Sequence, residues 1–597
     1  MKTTTTKHIK SILKSFLIIL IILFTFPILI AQDIIDPNKN IQIRWEKKGE
    51  LLLVTVTDQP KDKPMIIIQS LSTIEKPLYA ITNVILSDYS GDLHWIHNSD
   101  GLEVTVPLKI LKEKSFKLKV SIKRKPNFLP NYLYRNSRFL EGVPVPEYQW
   151  ASEEAYEAFN DLKYGIRIHW GLYSALGVEA SWPYLEMTNE ERMKYSDRYK
   201  IFNPKSFDAD KWMSFFIENG MKMVAFVTKH HDGFSLFDTK TVVKNRINWA
   251  AKDGPKVEPY GLSYDIMDSP FKRDIVKEIC ESARKHNIKI DLYFSNIDWF
   301  DADQRGLVGS GYDLGNLSVA SDEELKRGMQ RHRDQLKELI SNYGKIDMIC
   351  LDMSLKERAW LEARQTMLEL RKLQPDVMYR NRNIDNYGDY YTPEGWVPSN
   401  VEATNMPWFV IYTLSGIFAY DPLAENYRDG GWIVNNVIDA TAKGGSFMVS
   451  IGPDENGLFH PKAIEAVESA GDWFRINGEA IFATRPWKTF GEGPTATALL
   501  SANKRTLISY TAEDIRFTRS KDHQTIYAIL MGVPSSKSEI LIKSLSKKSE
   551  PSIEIKKITV IGNVGELKWS RDDKALKVEM PDKQPCNYAY AIKIKLK

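Results

Sequence analysis

The run Thr228-Lys229-His230-His231-Asp232-Gly233-Phe234 begins where the apolar stretch Met223-Val224-Ala225-Phe226-Val227 stops. The stretch reads as a buried strand, and the polar cluster as what sits at its mouth. Two adjacent imidazoles, an ammonium and a carboxylate are poor core material. They suit a small, hydroxyl-rich ligand, because each offers it a donor or an acceptor. Other predicted strands end in the same way. Residues 164–169 lead into His169-Trp170-Gly171, and 287–294 run into Tyr293-Phe294-Ser295 with Asp298-Trp299 just beyond. Residues 346–351 end at Asp352, 377–381 at Asn381-Arg382-Asn383, and a short run near 400 carries Glu402. Cleaving a glycosidic bond needs one carboxylate at the anomeric carbon and another that exchanges a proton with the leaving oxygen and with water. It also needs neutral groups for the ring hydroxyls and an aromatic cover for the ring's apolar face. A lone histidine at a strand end is ordinarily structural, and Asp352 would serve equally as the N-cap of a helix starting near Ser354. The recurrence across six strand ends is what points to a site.

The elements that position these residues alternate. Six strand-like runs, at 164–169, 222–228, 287–294, 346–351, 377–381 and 446–451, are separated by helical patterns such as Asp274 to His286 and Glu323 to Tyr343. Such alternation over residues 147–482 predicts an α/β domain of the (β/α)8-like TIM-barrel type, whose chemistry gathers at the C-terminal ends of the strands. A doubly wound open sheet is the competing arrangement, but no glycine-rich phosphate loop follows the first strand. Residues 34–123 and 487–597 alternate with period two and predict all-β, sandwich-like domains before and after the barrel. A proline-bearing linker spans 124–146. The two β regions share a pattern: Gly91-Asp92-Leu93-His94-Trp95 precedes Leu102-Glu103-Val104-Thr105-Val106-Pro107 at the same spacing as Gly565-Glu566-Leu567-Lys568-Trp569 precedes Leu576-Lys577-Val578-Glu579-Met580-Pro581. Either a small β element is duplicated, or two unrelated hairpins share similar turns.

With 597 residues the chain is too long for one ordinary domain. Residues 1–31 join Lys2, Lys7, Lys10 and Lys14 to a nearly continuous apolar run from Phe16 to Ile30, the pattern of a secretory signal peptide. An uncleaved membrane anchor is the alternative. The expected location is therefore periplasmic or secreted, with no membrane span in the mature form. The whole chain has 81 basic and 77 acidic residues, but residues 1–31 hold four lysines and no acid, leaving 77 of each. The basic balance thus gives no reason to expect a nucleic-acid partner. Cys280, Cys350 and Cys586 lie far apart and form neither a disulfide framework nor a CxxC metal site.

Lys163-Tyr164-Gly165-Ile166-Arg167-Ile168-His169-Trp170-Gly171-Leu172-Tyr173-Ser174 resembles the first-strand motif of the family 29 glycoside hydrolases, the α-L-fucosidases. Thr228-Lys229-His230-His231-Asp232-Gly233-Phe234 is similar to that family's most recognisable string. Asp389-Tyr390-Tyr391-Thr392-Pro393-Glu394, Lys443-Gly444-Gly445 with Ile451-Gly452-Pro453, and Asn477-Gly478-Glu479-Ala480-Ile481 before Thr484-Arg485-Pro486-Trp487 match in order. The resemblance covers about 150–597 and leaves 34–123 outside. It implies a retaining exo-α-L-fucosidase acting on fucosylated oligosaccharide or polysaccharide, with no cofactor and no metal, and an oligomer as one possible state. Asp352 maps to the nucleophile and Glu402 to the acid/base, with Glu179 as its rival. His169, Trp170, His230, His231, Tyr293 and Arg382 map to substrate contacts. Two departures fall at the nucleophile strand: Cys350 stands where Trp is usual, and Met353-Ser354 follow Asp352 where Gly is common; both are expected to reshape the site around C1. The competing functions are a non-catalytic fucose-binding protein on a decayed glycosidase fold and a metal-dependent hydrolase. For the latter, no His-x-His follows the first strand and no His-x-x-Glu-His is present.

Overall fold

Seven runs of mostly apolar residues form one all-parallel sheet: β1 (Tyr164–Ile168), β2 (Met223–Lys229), β3 (Lys289–Ser295), β4 (Met348–Asp352), β5 (Met378–Tyr379), β6 (Phe409–Thr413) and β7 (Ser446–Ile451). Their order is β5-β4-β3-β2-β1-β7-β6. The computed structural model describes residues 34–47, 50–58, 64–73, 76, 78–98, 100–127, 141, 143–307, 317–394, 397–398, 405–495, 509–583 and 585–597. The proposed signal segment 1–31 and Glu402 lie outside these residues.

Every residue of β1, β2, β4 and β7 is buried, as expected of strands covered on both faces. Gly165 is required where β1 meets β2: a Cβ there would lie 2.2 Å from Met223 Cγ. The sheet closes through an eighth, irregular stave. Arg380 bridges Tyr390, Tyr391 bridges Trp408 and Glu394 bridges Ile411, all in parallel sense, so residues 390–394 join β5 to β6. The Asp-Tyr-Tyr-Thr-Pro-Glu motif is thus the closure of the barrel.

The helices Ile275–Lys285 and Asp322–Ser341 lie within two residues of their expected limits. The Asp274 side chain caps the first, and a Ser321/Glu324 capping box starts the second. The short run expected near residue 400, with Glu402, lies outside the described residues; the strand that follows it is β6, at Phe409–Thr413. One expectation changes. No helix starts near Ser354; a short 3₁₀ turn at Glu357–Ala359 leads into the helix Trp360–Leu373, so Asp352 is not a helix cap.

After the barrel, strands Arg485–Glu492, Ile515–Arg519, Thr525–Leu530, Tyr590–Leu596 and Ile555–Val560 form a five-stranded antiparallel sheet in that spatial order. Glu539–Ile542, Leu576–Glu579 and Trp569–Arg571 form a three-stranded sheet. Ile515, Phe517, Ala528 and Ile592 face the core of this domain with Ile542, Leu576 and Val578. The opposite face of the large sheet belongs to the barrel's own core, through Tyr527, Ile529, Ala589 and Ala591. There Arg516 Nε donates to Asp439 Oδ1 at 2.6 Å, and Lys443 Nζ donates to Asp439 Oδ2 at 2.8 Å.

The chain divides at Lys125/Pro126. The N-terminal unit also contains a five-stranded sheet (Ile34–Ile35, Ile41–Lys47, Leu51–Thr57, Ser115–Arg124, Tyr79–Leu86, in spatial order) and a three-stranded one (Met65–Ile68, Leu102–Thr105, His94–His97). No helix among the described residues is long and apolar enough to cross a membrane.

Candidate active site

The barrel brings the chemistry-bearing residues together at the C-terminal ends of its strands. Asp352, the last residue of β4, receives three charged or polar neighbours. Tyr293 Oη, from β3, donates to its Oδ2 at 2.6 Å. Arg382 Nη1 donates to Oδ1 at 2.5 Å, and Arg380 Nη1 lies 3.4 Å from the same oxygen. Burial alone would raise the Asp352 carboxyl, but the two guanidiniums hold it well below the usual carboxylate range. It is ionised at any physiological pH.

The histidines stand around it as neutral groups. Burial, reinforced by Arg167, drives His169 well below the usual imidazole value, and burial with the neighbouring His231 does the same to His230. His231 is pushed down to about 4 by burial, against the pull of Asp352. Their second nitrogens are fixed by serines: His230 Nδ1 lies 2.5 Å from Ser181 Oγ, and His231 Nδ1 lies 2.7 Å from Ser295 Oγ. Ser295 Oγ donates its one proton to the Ile297 carbonyl at 2.7 Å, so it must accept from His231. That makes His231 the Nδ1–H tautomer. Its Nε2 is then a lone-pair acceptor, buried, with no hydrogen-bond partner and 4.0 Å from Asp352 Oδ2.

Aromatic rings frame the cluster. His230 and Tyr293 stack at 5.7 Å, Trp182 meets the His231 ring edge-on at 4.7 Å, and Phe418 lies 5.1 Å from His169. Tyr293 is the ring on the site side; Phe294 packs against His332, with Lys229 Nζ 4.3 Å from its centroid. Lys229 Nζ also lies 3.5 Å from Asp298 and 3.2 Å from Gln335, and burial pulls it down to about 8. Asp232 accepts from Tyr195 Oη at 2.6 Å and is pushed up to about 7 by burial. Both therefore support the histidine turn from below.

Trp170 is not brought to the cluster. It packs against Phe202, Phe207 and Trp212, and its indole N–H donates to the Asp454 carbonyl. Glu179 accepts from the Phe418 backbone N–H at 2.9 Å. Cys350 is buried inside the barrel, where Arg167 and Arg380 donate to its sulfur at 2.7 and 3.3 Å, so it forms no wall of an open pocket. Met353 adopts a left-handed φ of 67°, the conformation that favours glycine and accounts for the glycine expected after the nucleophile.

Two site residues were not singled out from the sequence. Arg380 and Glu394 complete a closed ion network: Arg380 Nη2 and Arg382 Nη2 both donate to Glu394 Oε1, at 2.7 and 2.5 Å. Burial would raise Glu394, but Arg382 and Arg380 lower it. The available signals were the close spacing of Arg380 and Arg382 after β5 and the final Glu of the closing motif.

Residues 144–479 match the family described as Alpha-L-fucosidase, and residues 509–595 match the Alpha-L-fucosidase C-terminal domain. The chain belongs to the α-L-fucosidase family. It is a glycoside hydrolase of family 29, with a TIM-like catalytic barrel and a C-terminal all-β domain. Human tissue alpha-L-fucosidase is 25% identical to it over 469 residues, covering 73% of this chain and 88% of the relative. A GH29 alpha-L-fucosidase from Bacteroides thetaiotaomicron superposes with a TM-score of 0.59 at 22% identity, over 77% of this chain and 98% of that one. The Thermotoga maritima alpha-fucosidase in complex with fucose does so with a TM-score of 0.56 at 19% identity, over 75% and 100%. The N-terminal unit lies outside both family matches.

Proposed function

We propose that this site hydrolyses terminal α-L-fucosyl linkages by double displacement, with Asp352 as the nucleophile. The observation that carries the reading is the ionised Asp352 carboxylate at a strand end, held by Tyr293, Arg382 and Arg380 and faced by an unpartnered acceptor on His231. In the first step Asp352 attacks C1 while the acid/base protonates the aglycone oxygen. In the second, the same group takes a proton from water, whose oxygen attacks C1 and displaces the Asp352 carboxylate, and fucose leaves with retained configuration. The acid/base is assigned to Glu402 on its motif. Glu179 is the lesser candidate, since its carboxylate already holds the Phe418 backbone. His169, His230 and His231 bind ring hydroxyls as neutral partners, His231 Nε2 as an acceptor. Arg382 holds the nucleophile charged. Trp170 is core packing behind the site, not a sugar contact.

The substrate class is a fucosylated oligosaccharide or polysaccharide, met outside the cytoplasm: the basic residues and apolar run of segment 1–31 support export to the periplasm or medium. Incubation with 2-fluoro-fucosyl fluoride tests the assignment. One 2-fluorofucosyl group is expected on the peptide containing Asp352, and none on an Asp352→Asn protein. Labelling of any other carboxylate would overturn it.

A further inference from the structure

The N-terminal unit repeats the C-terminal domain strand for strand. Numbering the eight strands of each in chain order, both large sheets run 1-2-3-8-5 and both small sheets run 4-7-6. The fourth strand of each ends in a short 3₁₀ turn, Gln69–Leu71 and Lys543–Leu545, each closed by a serine. Both turns read Ser-Leu-Ser, at Ser70-Leu71-Ser72 and Ser544-Leu545-Ser546. The second strands share Ile-Arg-aromatic, at Ile43-Arg44-Trp45 and Ile515-Arg516-Phe517. Chance similarity of one hairpin does not produce this agreement; the unit is a second copy of the fold.

The register then equates individual positions. In the C-terminal domain Arg516 pairs with Ile529, and Ile529 with Ala591. In the N-terminal unit Arg44 pairs with Leu53, and Leu53 with Lys119. The first row is buried against the barrel, with Arg516 spent on Asp439. The second is on an open face: Arg44 and Lys119 are exposed, and Ile85, beside Lys119, is 47% exposed. Lys117 and Lys119 stand where the docked copy has Ala589 and Ala591, and Lys123 continues the stripe. Lysines in place of small residues prevent this face from packing as its counterpart does. They also put the charges of Lys117, Lys119 and Lys123 on it, in a unit with 15 basic and 11 acidic residues over 34–125. Lys117 and Lys119 project about 7 Å apart, and Lys123 lies four residues further along the same strand, about 13 Å from Lys119. That is a row of ammonium groups suited to an extended polyanion.

We propose that this face binds an acidic polysaccharide strand, one bearing sulfate or carboxylate groups, and tethers the catalytic barrel to it. The choice of a glycan over other polyanions rests on the glycoside hydrolase site of the same chain. The test uses the full-length protein on immobilised dextran sulfate, polygalacturonate and neutral dextran. Retention is expected on at least one acidic glycan and not on neutral dextran, and it should weaken steeply with salt because exposed charges are screened. Lys117→Glu/Lys119→Glu should lower affinity at least tenfold while aryl-fucoside turnover is unchanged; Lys117→Ala/Lys119→Ala, a milder change, should lower it severalfold. Asp352→Asn should abolish turnover and leave retention intact, so failure of the catalytic assignment reads differently from failure of this one. Equal retention of wild type and both lysine variants, no retention on either acidic glycan, or stronger binding to anionic vesicles or DNA would overturn the proposal.

Discussion

His231 Nε2 and Asp352 Oδ2 face each other at 4.0 Å, and neither carries a proton. Two acceptors at that distance repel weakly and wait for a donor between them, which a sugar hydroxyl supplies. The pH dependence follows. Burial lowers His231 from 6.5 to about 4, so the fold favours the neutral ring. That stabilisation is full above the unfolded value of 6.5 and is lost as pH falls towards 4. Asp352 is held lower still and stays ionised through this window. The acid limb of kcat/KM on an aryl fucoside is expected near pH 4 to 5. His231→Phe should raise KM about tenfold, the equivalent of about 1.4 kcal/mol of lost hydrogen bonding, and displace that limb. A limb unmoved by the substitution would show that His231 does not govern it.

Glu394 shares both guanidiniums with Asp352, so it divides their charge. Glu394→Gln keeps the shape and removes the competition. Arg380 and Arg382 then act on Asp352 alone, lowering its basicity and its power as a nucleophile. We expect kcat to fall about 10- to 100-fold with KM nearly constant, because an interaction felt at bond formation is lost rather than a sugar contact. A rise in KM at constant kcat would instead place Glu394 among the sugar contacts.

Protonation of the leaving group separates Glu402 from Glu179. An acid/base variant loses little on a fucoside whose aglycone leaves unaided and much on one that needs a proton. Glu402→Gln is expected to lose roughly 10²- to 10⁴-fold on an alkyl fucoside but far less on a dinitrophenyl fucoside, and azide should restore rate with retained configuration. Glu179→Gln should lower both substrates alike, since it disturbs Phe418 and, through it, His169. The opposite pattern would exchange the two assignments.

What was legible in the sequence was whatever local pattern dictates. The strands β1, β2, β3, β4 and β7 announced themselves as apolar runs, and the residues ending them fell at one rim because parallel strands share a direction. The closing stave was not legible: residues 390–394 pair on both sides through isolated bridges, and Thr392-Pro393 breaks any strand pattern. Arg380 was passed over for the same reason, since its partner Glu394 arrives only when the barrel closes. Trp170 shows the reverse error. It follows His169 directly, but it lies past the end of β1 at Ile168, and its ring packs among Phe202, Phe207 and Trp212 instead of facing the cluster. The matching β regions carried the stronger message, because a shared spacing of one hairpin extended to eight strands.

The ion pair that seats the C-terminal domain gives a last prediction. Asp439 lies on the helix Gly430–Ala442 and is buried with Arg516 and Lys443. Burial would raise its carboxyl, but Lys443 and Arg516 lower it. Its charge is therefore needed by the fold, and the associated stability is present above the ordinary value of 3.8 and lost as pH falls below it. Arg516→Ala removes one partner and opens a cavity under Tyr510 and Phe490, whose rings lie 5.4 and 5.7 Å from the guanidinium. Removing one member of a buried pair costs about 3–5 kcal/mol, less here because Lys443 remains. Denaturant unfolding should show a loss of about 2–4 kcal/mol, with the C-terminal domain releasing from the barrel first. Arg516→Met restores the volume but not the charge and should recover only part of that loss. If Arg516→Met were as stable as the native protein, packing rather than charge would be what seats this sheet.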